Sequence, residues 1–413
     1  MKKTVIASIL VLASSLSPAL ASPAQDLFDQ ATFFIGFSYA GYGKVPNFRD
    51  LRKQYQPELD KRCGTDQACG YDKGLEVIDV ILKAIGDPFM KVFTETEALD
   101  QQLRAGGEGR ALPRVGLLTR ASKDGLIVAR TYDGEAAWEA GIERGDTVLS
   151  VNGKPATLEV LASAELEKKP VVLSVSRAGG KAQEFSLKAV QPDQGVKPYT
   201  MPAPKNVLVI HVPDFYWSGE VAKKINQLVR KADSDGVKGI IVDVRDSESG
   251  FDSEALMSAA PFINKGGFTY DRRFVDQDQT ITLDGSKLFI KGEKGQAQTL
   301  QQLDKLALTK LPVAVLVNKY TENSAEMFAH FLQGAKRAKV YGEPSMGVLN
   351  ISGGAEGELI SGHVLNLSTL RMLELDGKAF PNAITPDVSV PDDLSALAAG
   401  KDLVLERALA DLQ

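Results

Sequence analysis

From Val313 the chain reads VAVLV, then a polar turn from Asn318 to Glu322, then a helix that begins near Asn323 and runs to Gln333. A strand that is apolar at every position has no side to offer to water, so it belongs inside a sheet covered on both faces. The same alternation recurs through the second half of the chain. Residues 207–212 read as a strand, and 221–229 as a helix with apolar positions at Val221, Ile225, Leu228 and Val229. A buried strand follows over 240–244, then a helix over about 253–262, and a further strand over 339–341. Continuous apolar strands separated by helices predict an α/β fold with a mixed, mainly parallel sheet. Residues 363–375 read as an antiparallel pair beside it. The helix start after the Val313 strand carries unpaired backbone N–H groups and a partial positive charge, a setting suited to holding an oxyanion.

At 413 residues the chain exceeds what one hydrophobic core usually spans, so two or three domains are expected. Lys2 and Lys3 precede an apolar run from Val5 to Leu16, and Ala19-Leu20-Ala21 gives a small-x-small cleavage pattern. This predicts a secretory signal peptide over 1–21, too short to span a membrane, and hence an exported protein of the periplasm or extracellular space. Without the two lysines, 46 basic residues face 53 acidic ones, a formal charge of −7. No basic run stands out, which argues against nucleic acid or an anionic membrane as a main partner. Cys63 and Cys69 share one polar turn, RCGTDQACG, and in an exported protein they read as a disulfide. Two cysteines without nearby histidines, and only His211, His330 and His363 in the chain, give no support for a metal site, and no cofactor is expected.

Residues 22–104 read as a helical segment, with an apolar stripe at Leu75, Ile78, Ile81, Leu82 and Ile85 that Gly86-Asp87-Pro88 stops. A Gly-rich stretch over 104–113 precedes short strands and turns. The run YDGEAAWEAGIERGDTVLSVNGKP, from Tyr132 to Pro155, resembles the PDZ signature G-S-P-A-x-x-A-G-[IL]-x-x-G-D-x-[IV]-x-x-[IV]-N-G. The resemblance implies a small β-rich PDZ domain over 112–190. Val115, Gly116, Leu117 and Leu118 would form its carboxylate-binding loop, for protein C-termini or unfolded peptides. Residues 191–205, QPDQGVKPYTMPAPK, read as a Pro-rich linker to a core over 206–413.

Four segments together resemble the C-terminal processing (tail-specific) protease family, a group of serine-type peptidases. GDPFMKVFTETEAL (Gly86 to Leu99) is similar to its D-D-P-Y-[ST]-x-Y-L segment. GIIVDVRDSESGF (Gly239 to Phe251) is similar to its G-[IL]-I-[LI]-D-L-R-x-N-x-G-G, and ITPDVSVP (Ile384 to Pro391) to its G-I-x-P-D-x-x-V. The turn from Asn318 to Glu326 is similar to its N-x-x-[ST]-A-S-A-[SA]-E. The resemblance implies a ClpP/crotonase-like core and a serine–lysine dyad supported by a glutamine. By those motifs the serine position holds Asn323, the lysine position 25 residues on holds Val348, and the glutamine position holds Ser352. Ser249 and Gly250 fall where the family's oxyanion donor sits. Loss of nucleophile or base in a related hydrolase lowers kcat about 10⁶-fold. The leading expectation is therefore a catalytically degenerate member that binds peptides as adaptor, regulator or scaffold. The alternative is an active endopeptidase whose nucleophile has moved to Ser324, one helical step of about 100° from Asn323. His211, inside a strand, reads as a packed core residue, and Trp217 as either groove lining or packing.

Overall fold

The computed structural model describes residues 21–41, 47–201, 203, 206–271 and 278–412, so the expected signal peptide lies outside the described residues but for Ala21. Helix Pro23–Ser38 opens on Ser22, whose hydroxyl accepts from the Gln25 N–H at 3.3 Å, with Pro23 in the first turn. Its Ala24, Leu27, Phe28, Ala31 and Ile35 recur every three or four residues and are all fully buried. They pack on Val77, Ile78 and Ile81 of helix Tyr71–Ile85. Between them, helix Phe48–Cys63 is tied by the Cys63–Cys69 disulfide to the turn that leads into helix Tyr71–Ile85. A loop this short is worth about 2 kcal/mol in the chain-entropy model. Cys63→Ser/Cys69→Ser is therefore expected to lower stability by that amount, read by thermal unfolding, and reductant should leave the double variant's midpoint unmoved.

The second half builds the predicted sheet. Its order is Val388–Ser389, Lys339–Gly342, Val313–Val317, Gly239–Asp243, Val207–His211, Tyr199–Met201. Neighbours run parallel except the last pair, Tyr199–Met201 against Val207–His211. Val313–Val317 is buried at every position, as its composition requires. One face packs on helices Glu220–Asp235, Asp252–Ala259 and Ser324–Gly334, and the other on the C-terminal helix Leu403–Asp411.

Three boundaries differ from the sequence reading. The linker assigned to 191–205 contributes Tyr199–Met201 to the sheet, because this strand needs only one edge of Val207–His211 to pair with. The segment read as helical to 104 contains strand Lys91–Phe93 and a helix, Glu95–Gly106, that runs two residues further. Residues 265–302, left without elements, form an antiparallel meander of Lys265–Asp271, Gln279–Asp284, Lys287–Gly292 and Gln298–Gln302. Strand Val364–Glu374 pairs with Lys265–Asp271, with Ile351–Glu358 and with Lys91–Phe93, which ties the N-terminal helices to the core.

Residues 114–190 form a separate antiparallel sheet of Leu117–Ser122, Gly125–Thr131, Thr147–Val151, Val171–Ser176 and Gln183–Leu187, with Lys154–Pro155 on one strand. The short helix Ala136–Glu139 falls within the Tyr132 to Pro155 run. Asn152 and Gly153 both have positive φ (50° and 75°), the geometry of a type I′ hairpin. Arginines fasten this sheet to the core. Arg120 pairs with Asp246 at 2.7 Å, Arg144 with Asp392 at 2.7 Å and Asp402 at 3.1 Å, and Arg130 donates to the Arg245 carbonyl.

His211 sits in its strand stacked on Tyr199, with ring centroids 5.3 Å apart. Burial pushes its imidazole down to about 4 against the pull of Asp243, with Arg130, Arg245 and Arg144 adding to the depression. The folded value lies below the ordinary 6.5, so the unfolded chain binds more protons between the two. His211 thus adds stability that is present above pH 6.5 and is lost as pH falls toward 4, about 3 kcal/mol at most. Burial raises Glu326 to about 7, and that group has the opposite slope in an overlapping window. The comparison that isolates His211 is therefore with His211→Gln: urea unfolding at pH 7 and pH 5 should show a smaller acid loss in the variant.

Candidate functional site

The turn after Val313–Val317 is held by short-range polar contacts. Thr321 Oγ accepts from the Asn318 N–H at 2.9 Å and donates to the Val244 carbonyl at 2.9 Å. Asn318 Oδ1 accepts from the backbone N–H groups of Asp246 and Tyr320, and the Glu322 N–H donates to the Ser247 carbonyl at 3.1 Å. These bonds dock the turn on the end of the neighbouring strand and place Asn323 at the mouth of helix Ser324–Gly334. Asn323 has φ 42° and ψ −99°, a sparsely populated backbone state for a residue with a side chain. Such strain is the mark of a sharp strand-to-helix turn that lifts one side chain into a cleft.

The motif positions come together here. Asn323 Nδ2 donates to the Val348 carbonyl at 3.2 Å and to the Ile351 carbonyl at 2.7 Å, while its Oδ1 accepts from Ser249 Oγ at 3.3 Å. Val348 is fully buried. Glu326, three residues into the helix, gathers the loop. Its carboxylate accepts from Ser345 Oγ at 2.5 Å and from the N–H groups of Gly347, Val348 and Asn323 at 2.9, 3.1 and 2.9 Å. Burial raises its carboxyl to about 7 while those donors pull it back. Gly250 has φ 154° and lies so close to Phe215 that a Cβ there would sit 2.3 Å from that residue's carbonyl carbon. Only glycine fits.

Ser352 lines the cleft, and its hydroxyl donates at 2.7 Å to Asp252. Asp252 also accepts from Tyr270 at 3.0 Å and from Ser324 at 3.3 Å. Sequence reading missed Asp252, since an acidic residue opening a helix is ordinary and nothing in its spacing points to a partner 100 residues on. Burial raises its carboxyl above the usual range. Ser324 is fully buried, bonded inward to Asp252, and is not part of the cleft lining. The cleft holds about 300 Å³ and is walled by Phe89, Phe93, Tyr216 and Phe251, with Lys91 and Glu322 as its charged side chains.

The other predicted loop lies in the antiparallel sheet. Val115 is fully buried and its N–H donates to Glu165 Oε1 at 2.9 Å, while its carbonyl accepts from Ala137. Gly116 has φ 90°, and Leu117 and Leu118 pair with Thr131 and Arg130. Glu165 belongs to helix Leu158–Leu166. Sequence reasoning did not find it, because 50 residues separate it from Val115. Trp217 lines a second cleft with residues 191–197, and the Lys197 ammonium lies 4.3 Å from its ring. Among the described residues, no helix is long and apolar enough to cross a membrane, and no group of His, Cys, Asp and Glu is disposed to hold a metal.

The site thus joins a mainly parallel sheet, a strained turn feeding a helix, and a flanking antiparallel sheet. Residues 206–390 match the family model described as Peptidase family S41. The "Probable CtpA-like serine protease" of Staphylococcus aureus (strain COL) is 27% identical over 324 residues, 76% of this chain and 59% of its own length. The protein of the same description from Staphylococcus epidermidis (strain ATCC 12228 / FDA PCI 1200) is 25% identical over 319 residues, 76% of this chain and 60% of its length. The chain thus spans about three fifths of these relatives. Two solved structures share the fold. The photosystem II D1 C-terminal processing protease aligns with TM-score 0.51 and 18% identity, over 93% of this chain and 99% of its own. The tricorn protease aligns with TM-score 0.51 and 14% identity, over 94% of this chain and 36% of its own.

Proposed function

We propose that this chain is an exported, catalytically degenerate C-terminal processing peptidase that binds peptide segments without cutting them. It would serve in the cell envelope as an adaptor, a regulator of an active relative, or a scaffold. One observation carries the reading: an asparagine amide and a valine carbonyl are hydrogen-bonded at 3.2 Å where the family's serine and lysine would meet. An amide with both polar atoms engaged is no nucleophile, and a valine accepts no proton. A cleft, a backbone turn and glycine geometry of the kind a peptide carbonyl needs all remain around them. The disulfide agrees with export into an oxidising compartment. The sheet over 114–190 is read as a PDZ domain from its signature, with the Val115–Leu118 stretch as the receptor for C-termini.

The test is incubation of the mature protein with an unstructured substrate ending in an apolar residue, beside Ser324→Ala, with peptide binding followed by calorimetry. Micromolar binding without cleavage is the expected result. Cleavage that vanishes in Ser324→Ala would overturn the reading in favour of a relocated nucleophile. Neither binding nor cleavage would leave a purely structural role.

A further inference from the structure

The residue before Asn323 departs from the family motif as much as Asn323 does. Where that motif has alanine, this chain has Glu322. Its backbone is fixed by the bond to Ser247, and its side chain lines the cleft. Among the described residues, the Glu322 carboxylate accepts no hydrogen bond and stands in no ion pair. Its surroundings are partly dry: burial raises its carboxyl above the usual range, and the Lys91 charge pulls it back. The other nearby charges are already engaged, since Arg104 pairs with Glu248 at 2.5 Å and stacks 4.4 Å over Tyr216. A half-buried carboxylate without a partner is costly to keep empty and gains most from a cation delivered into the same pocket. Phe89, Phe93 and Phe251 are half-buried along the wall. Aromatic faces attract a guanidinium or ammonium group directly and shield the pair from water.

Resting on the peptide-binding reading above, we infer that the cleft beside Asn323 is a receptor for one basic side chain of a bound peptide, with Glu322 as its counter-ion and the aromatic wall holding its stem. A volume of about 300 Å³ suits one long side chain with little room besides. Lys91 sets the limit on affinity. It is exposed on strand Lys91–Phe93 and lines the same cleft, so its charge opposes the incoming cation. The pocket therefore carries one group that attracts the ligand and one that repels it, and their removal has opposite effects.

The probe is an unstructured peptide with a single internal arginine, amidated at its C-terminus, compared by calorimetry with the same peptide bearing citrulline. The mature protein is expected to bind the arginine form at least tenfold more tightly. Glu322→Gln should abolish that preference and Lys91→Met should enlarge it, with both variants unfolding at the wild-type temperature. Equal binding of the two peptides, or a preference that survives Glu322→Gln, overturns the inference and leaves the peptide-binding reading standing. Binding of only the free-acid form of the peptide does the same. No binding of any of the three peptides overturns both.

Discussion

Arg245→Met is expected to cost about 3–5 kcal/mol of stability, the range for removing one partner of a buried ionic cluster. Arg245 is 1% exposed. Its guanidinium holds Asp243 at 2.9 and 2.7 Å and Asp402 at 2.7 and 2.9 Å, two forked pairs, with Asp392 at 3.4 Å. Those bonds keep Asp243 and Asp402 well below the ordinary carboxylate range despite their burial. Without Arg245, Arg144 alone would face three carboxylates. Asp402 also caps the C-terminal helix, accepting from the Leu405 N–H at 3.1 Å, so that helix should loosen from the sheet as well. Arg245→Lys keeps the charge and loses the fork, and should fall between wild type and Arg245→Met. Urea unfolding monitored at several wavelengths measures the loss. A methionine variant within 1 kcal/mol of wild type would show that the cluster contributes little to net stability.

The second large effect concerns chemistry. The wild type is expected to leave an unstructured substrate intact, roughly 10⁶-fold below a peptidase with its nucleophile and base. Asn323→Ser/Val348→Lys/Ser352→Gln should restore cleavage, and Asn323→Ser alone should not. The geometry favours restoration: position 348 is buried, so a lysine there would be desolvated and its pKa depressed toward the range of a general base. The rate should climb with pH as that lysine loses its proton. The two positions already touch, and the turn already carries the strained backbone. A folded triple variant that remains silent would mean that the frame has drifted too far to position a dyad. That result would locate the loss of function in the scaffold as well as in the side chains.

What could be read from sequence followed from how local each constraint is. The Val313–Val317 strand declared itself because every side chain must be buried. The contact between Asn323 and Val348 was legible only through motif spacing. Gln279–Asp284 was not recognised, since its burial is confined to one face, at Ile281 and Leu283, and alternation with threonine and glutamine looks polar on average. Asp252, Glu165 and Glu322 act through partners or cavities assembled from distant segments. A lone carboxylate in sequence carries no sign of whether water or a buried hydroxyl will face it.

Glu165 has a consequence for the Val115 loop that it holds. A carboxylate arriving at the Val115 N–H meets a rival already tethered in place by its own helix. Tethered rivals act at high effective concentration, so under the proposed peptide-binding function a chain end reaching this loop would first have to evict Glu165 and find it another partner. Weak visitors would then be screened out, and the loop would answer only to chain ends whose remaining contacts repay the eviction.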